Sequence, residues 1–343
     1  MVKIDHFINL EDVKQIVGDI KKGAIRPIYF LMGDEPYYID AISDYIEHNV
    51  LAEEEKGFNQ MTLYGRDVAI DDIVGNAKRY PMMAERQVVI VKEAQDLSRT
   101  IEKLVDYVKN PQLTTVLVIN YKYKKIDKRK SLYKEIKKIG VVFDSKKLYD
   151  NQVPDWIRRV LSGQGYTIAP KAAQMLVEFL GTDLSKINNE LGKLKIVLPA
   201  GAQISAEHIE EHIGISKDYN NWELRKAIGA VDRLKAFKIV KYFVENPKDH
   251  PMVLTVGTLF RFFSELLHYH GLNDKNPRNV AAALKINPYF VGDYATAARN
   301  YPMRKVSKVI SILREFDLKS KGVDANSASK DDLFKELVVR IFT

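Results

Sequence analysis

Short apolar runs alternate with helix-spaced patterns through the first 145 residues. The runs "IYFLM" (28–32), "MTLY" (61–64), "VVIV" (88–91), "VLVI" (116–119) and "VVF" (141–143) have strand length. Helical patterns lie between them near 37–50, 70–79, 99–109 and 129–139. Strands alternating with helices require crossover connections, so this part of the chain predicts a mostly parallel sheet. "VVIV" and "VLVI" have no polar interruption, as central strands covered on both faces should.

After about residue 145 the strand signal almost vanishes. "NQVPDWIRRVLSGQGYTI" (151–168) reads as a helix with Pro154 near its start and Gly163 and Gly165 after its end. "PKAAQMLVEFL" (170–180) closes at Gly181, and Leu184, Ile187, Leu191 and Leu194 keep helical spacing through 183–198. "SAEHIEEHIG" (205–214) is a short helix with Ser205 as N-cap and Gly214 as its stop. Longer helices are predicted over 221–244, 251–271, 277–284, 287–299, 302–320 and 330–342. They are separated by "NPKDHP", "NDKNP" and "KGVDANSAS". No internal repeat is visible. The pattern divides the chain into an α/β domain (1–145), a small helical domain (146–215) and a larger helical domain (216–343).

Composition narrows the function classes. A chain of 343 residues needs two or three domains, and 46% hydrophobic with 29% charged residues is ordinary for a folded protein. The chain contains no cysteine. That excludes disulfides, thiol nucleophiles and cysteine-based zinc sites, and fits a reducing cytoplasm. The N-terminal stretch "MVKIDHFINLEDV" lacks the apolar core of a signal peptide, and no run approaches the roughly 18 apolar residues of a membrane helix. A cytoplasmic location with no membrane partner is therefore expected.

The formal net charge is +8, and most of it sits in "YKYKKIDKRKSLYKEIKK" (121–138), where nine Lys or Arg face only Asp127 and Glu135. Such a segment is either a solvated face or a polyanion-binding surface. The candidates for phosphate contact are Lys122, Lys124, Lys125, Lys128, Arg129 and Lys130.

Catalytic chemistry is hard to find. A nucleotide-binding sheet would carry a glycine-rich loop after its first strand. Here that turn reads "GDEPYYID" (33–40), with one glycine, no Lys-Ser or Lys-Thr pair, and Asp34 and Glu35 to repel phosphate. The strand "VVIVKE" (88–93) has Lys92 where a first magnesium-binding carboxylate would stand, leaving only Glu93. Asn120 ends another strand in a position where a polar sensor could sit. "HIEEH" (208–212) matches an inverted zincin pattern through His208, Glu211 and His212, but no third ligand is evident. An amphipathic helix explains it better. No serine elbow is present. The residues lean against an enzyme, and no cofactor or metal is expected.

One stretch remains unexplained by core packing. In "RYPMMAERQVVIV" (79–91), two methionines follow a proline. Neighbouring residues point about 100° apart on a helix and to opposite faces on a strand, so Met82 and Met83 cannot easily share one buried face.

The whole chain resembles the delta subunit of the bacterial DNA polymerase III clamp loader. The stretches that carry this resemblance are "PIYFLMGDEPYYID" (27–40), "PMMAERQVVIVKEA" (81–94), "KKIDKRKSLYKEIKKIG" (124–140), "GTDLSKINNELGKL" (181–194), "LFRFFSELL" (259–267), "INPYFVGDYATAARNYP" (286–302) and "LREFDLKSKGVD" (313–324). Each is loose alone, but their order and spacing make the match specific. The resemblance implies an AAA+-like α/β domain without a working ATP site, a small helical lid-like domain and a helical collar. It implies a non-catalytic subunit of a five-membered ring, joined to ATPase and delta-prime subunits. Its partners would be the sliding clamp (the beta subunit), which it grips and opens, and primer-template DNA. The implied clamp contact is a short helix whose two adjacent apolar residues enter a clamp pocket, and these align with Met82 and Met83. The family often has a leucine and an aromatic residue there. Two other readings are an atypical AAA+ NTPase and a stand-alone basic DNA-binding protein.

Overall fold

A computed structural model describes residues 11–216, 218–323 and 330–343. The first ten residues, most of the "KGVDANSAS" break and the last residue of "LREFDLKSKGVD" lie outside the described residues. The chain divides into two compact units, Met1–Gly165 and Tyr166–Thr343.

The first unit runs α1 (Glu11–Lys21), β1 (Ile28–Gly33), α2 (Pro36–Asn49), α3 (Glu53–Asn59), β2 (Gln60–Tyr64), α4 (Ile70–Ala77) and β3 (Gln87–Lys92). Two 3-10 turns follow (Ala94–Leu97 and Ile101–Leu104). The unit then continues through α5 (Val105–Lys109), β4 (Thr115–Lys122), α6 (Ser131–Ile139), β5 (Val141–Ser145) and α7 (Val153–Ser162). All five expected strands form one parallel sheet in the order β2-β3-β4-β1-β5, the AAA+-like arrangement. Phe30 sits opposite both Ile119 and Val142, and Val89 opposite Leu117. The apolar runs of β1, β3 and β4 are buried almost throughout because helices cover both faces. On one face Phe30, Val89, Leu117 and Ile119 pack with Ile70 and Ile73 of α4 and Leu132 and Ile136 of α6. On the other lies α2, with Tyr38, Ile39, Ile42 and Ile46 buried. The helices α1 and α3 were not among the predicted elements.

The second unit contains β6 (Thr167–Ile168), α8 (Pro170–Leu180), α9 (Leu184–Val197), β7 (Gln203–Ile204), α10 (Ala206–Ile213), α11 (Asn221–Gly229) and α12 (Arg233–Glu245). It ends with α13 (Met252–Gly271), α14 (Pro277–Leu284), a 3-10 turn (Pro288–Phe290), α15 (Val291–Asn300), α16 (Met303–Ser320) and α17 (Lys330–Phe342). Its strand content is a single parallel pair of two residues each, β6 with β7. The core includes Phe262 and Phe263 of α13, Tyr294 of α15, Phe316 of α16, and Tyr301 just after α15.

The continuous helix predicted over 221–244 is broken into α11 and α12. Val231 adopts a left-handed conformation (φ 59°), and Asp232 caps the new helix by accepting the N–H of Lys235 at 3.0 Å. Apolar periodicity runs through the break, so it hid a cap that only Asp232 announces.

Candidate functional site

The Met82–Met83 tip is set by the elements on either side of it. Helix α4 stops at Ala77, and the buried side chain of Gln87, the first residue of β3, reaches back toward it. Gln87 Nε2 donates to the carbonyl of Arg79 at 2.5 Å and to Thr115 Oγ1 at 2.7 Å. Thr115 Oγ1 in turn donates to the carbonyl of Ala77 at 2.8 Å. The other side of the loop is held by Asn59, at the end of α3. Its Oδ1 accepts the N–H of Met82 at 2.6 Å, and its Nδ2 donates to the Met82 carbonyl at 3.0 Å.

From Met82 toward the start of β3, residues 82–85 form a bend, with no helix. The short helix implied by the family resemblance is thus absent. Pro81 has no N–H to donate and pushes Tyr80 away from helical angles. Met83 then turns left-handed, with φ at 54°. Neither methionine reaches the core: Met82 is 61% exposed and Met83 is fully exposed. Tyr80 on the same loop and Phe58, the neighbour of Asn59, are each 78% exposed. Phe58, Asn59 and Tyr80 were not singled out from the sequence, since an exposed aromatic and a lone Asn carry no periodic signal.

At the carboxyl ends of the strands, where open α/β sheets bind ligands, the phosphate-binding position is filled by the protein itself. The N–H of Gly33 donates to the carbonyl of Lys124 at 3.2 Å, and that of Asp34 to the carbonyl of Ser145 at 2.8 Å. The carboxylate of Glu35, buried, caps α2 by accepting the N–H of Tyr37 at 3.0 Å, so an anion already occupies that helix N-terminus. Lys92 pairs with Glu47 at 3.2 Å. Lys122 lies between Asp40 (2.9 Å) and Glu93 (2.8 Å). Burial opposes ionisation of both Lys122 and Glu93. The hydrogen bonds between them outweigh it, raising the lysine and lowering the carboxyl from their ordinary values. Asn120 is fully buried on β4.

The basic segment splits in two. Lys122 is enclosed by its two acids, and Lys125 bridges Asp34 (3.1 Å) and Asp144 (2.9 Å). Both serve to neutralise carboxylates at the strand ends. Lys124 donates to Ser98 Oγ at 2.8 Å, and Arg129 pairs with Asp127 at 2.7 Å. Lys128 and Lys130 are exposed just before α6. The zincin-like pattern has a local explanation: His208 Nδ1 accepts the N–H of Ser205, completing a capping box at α10. Among the described residues no group of three metal-ligating side chains comes together, and no helix is long and apolar enough to cross a membrane.

Residues 29–146 match the family model described as DNA polymerase III, delta subunit. A curated relative, DNA polymerase III subunit delta of Bacillus subtilis, is 25% identical over 333 residues, covering 94% of this chain and 93% of its own length. The chain is thus similar to DNA polymerase III delta subunits over nearly its full length. The fold agrees: the solved Bacillus subtilis DNA clamp loader delta protein superposes with a TM-score of 0.53 at 23% identity, over 96% of this chain and 99% of that one. A more remote likeness is to the Thermotoga maritima RuvB branch migration motor, with a TM-score of 0.39 and 14% identity over 86% of this chain and 88% of that one.

Proposed function

We propose that this chain acts as a clamp loader delta subunit that grips the sliding clamp through Met82 and Met83 and favours the opened ring, so that the clamp can be placed on primed DNA. The observation that carries this reading is the pinned, outward-facing methionine pair. Two unbranched, polarizable side chains suit an apolar pocket on a partner. Burying each would contribute roughly 1.5–3 kcal/mol. Opening the ring then requires only that the tip bind the open form better than the closed one.

The chain acts without turning over ATP. The paired N–H groups of Gly33 and Asp34 and the carboxylate of Glu35 support this, since a phosphate would have to displace all three. ATP hydrolysis would come from the ATPase subunits that assemble with it and with delta-prime. Residues 146–215 would act as the lid-like part and residues 216–343 as the collar that packs against those partners. Primer-template DNA would be met through the outward part of the basic segment. The location that follows is the cytoplasm.

The direct test is a clamp carrying a fluorescent donor and acceptor across its own subunit interface. Adding this protein without ATP should lower energy transfer as the ring opens. An atypical ATPase would instead turn over ATP on its own. A stand-alone DNA-binding protein would hold DNA and leave the clamp signal unchanged.

A further inference from the structure

We propose that Asn59 is the positioning residue of the Met82–Met83 tip, holding it in its docking geometry before any partner arrives. The inference rests on the reading of Met82 and Met83 as clamp anchors. Asn59 is 4% exposed, and both N–H donors of its carboxamide and its Oδ1 are engaged by backbone groups. Oδ1 accepts the N–H of Met82, and Nδ2 donates both to the Met82 carbonyl and to the Glu55 carbonyl one turn back in α3 (3.1 Å). One side chain therefore joins the backbone of a helix to the backbone of a bend 23 residues away. Residues 82–85 belong to no helix or strand that would fix them.

The chemistry requires an amide. Only Asn and Gln present a donor and an acceptor side by side, matching the N–H and C=O of one backbone residue. Gln is one methylene too long for this span. Asp would keep the bond from the Met82 N–H but set a carboxylate against the Met82 carbonyl. Flipping the Asn amide would place donor against donor and acceptor against acceptor, so one orientation is fixed. The held residue precedes Met83, whose left-handed φ is unfavourable for a side chain of its size. Such a conformation persists only where the flanking backbone is over-determined. Asn59 supplies that at Met82, and Gln87, through the Arg79 carbonyl, holds the backbone three residues earlier. A tip already in its docking shape loses less conformational freedom on binding.

The test is a double-mutant cycle between Asn59→Ala and Met82→Ser/Met83→Ser, read by calorimetric titration with the sliding clamp. Hydrogen exchange at the Met82 amide is read alongside. Asn59→Ala should weaken clamp binding about tenfold and speed exchange at Met82, leaving exchange in β3 and β4 unchanged. In the Met82→Ser/Met83→Ser background the same change should cost no further affinity, because Asn59 acts through the methionines. An equal loss in both backgrounds would overturn the inference, since a merely structural role is independent of the tip. So would unchanged exchange at Met82. Failure of the parent protein to bind the clamp would overturn the clamp reading, and Met82 exchange would still decide whether Asn59 holds the tip. If Asn59→Ala does not fold, Asn59→Asp carries the same cycle, with a smaller expected loss.

Discussion

A β-carbon on Gly33 would stand 2.1 Å from the carbonyl oxygen of Ser145, with φ at residue 33 held at 125°. Here the glycine that opens a phosphate loop elsewhere lets the chain pass under the end of β5. Gly33→Ala should destabilise the first unit by at least about 3 kcal/mol, because a backbone clash and a strained φ act together. Denaturant unfolding followed by circular dichroism would measure it. A midpoint equal to the parent's would mean that Gly33 is not locked beneath Ser145.

The two halves of the basic segment should respond differently to charge removal. Lys122→Gln leaves Asp40 and Glu93 without their shared cation and should cost about 1–3 kcal/mol of stability. Lys128→Gln with Lys130→Gln should leave stability unchanged. It should weaken DNA binding and reduce the slope of log affinity against log salt by up to about 2. Anisotropy titrations with labelled duplex at several salt concentrations would separate the two. A salt slope that does not change would remove Lys128 and Lys130 from any DNA contact.

Acid should loosen the C-terminal helix. Hydrogen bonds from Arg340 and Lys319 hold the Glu315 carboxyl down at about 2. Arg340 makes two bonds to it, each 2.7 Å, joining α17 to α16. A depressed carboxyl contributes stability above its unfolded value near 4.5 and loses it as the pH falls through about 2. The site is partly exposed, so the contribution is under about 1 kcal/mol. Melting curves from pH 6 to pH 2 should show a smaller acid loss for Glu315→Gln than for the parent. Parallel losses would mean that the Arg340 contact does not couple to folding.

How much of this was legible in the sequence differs from element to element. "VVIV" and "VLVI" announced buried strands because nothing polar interrupts them, and the strand-helix rhythm announced a parallel sheet. Ser205 and Gly214 marked both ends of α10 because cap chemistry is local. The helices α1 and α3 went unseen. In α1, Val13, Ile16, Val17 and Ile20 carry helical spacing beside the first strand, whereas α3 is short and mostly charged. The α11–α12 break lay inside a continuous apolar pattern. That the two methionines do not share a buried face could be inferred because they are adjacent, whereas the exposure of both was implied only by the family resemblance. The bend that replaces the implied helix could not, for it depends on Asn59 and Gln87 meeting carbonyls distant in the chain. Likewise, a count of lysines in 121–138 does not reveal that Lys122 and Lys125 face acids on other elements.

The central claim is tested most directly by calorimetric titration of the sliding clamp from the same organism with the parent protein and with Met82→Ser/Met83→Ser. Both side chains are exposed, so the variant should fold with the parent's melting temperature. The account predicts clean binding by the parent and a loss of at least about 2 kcal/mol, roughly thirtyfold in affinity, in the variant. Equal binding by both proteins would contradict the assignment of the site, and no binding by either would contradict the clamp-gripping function.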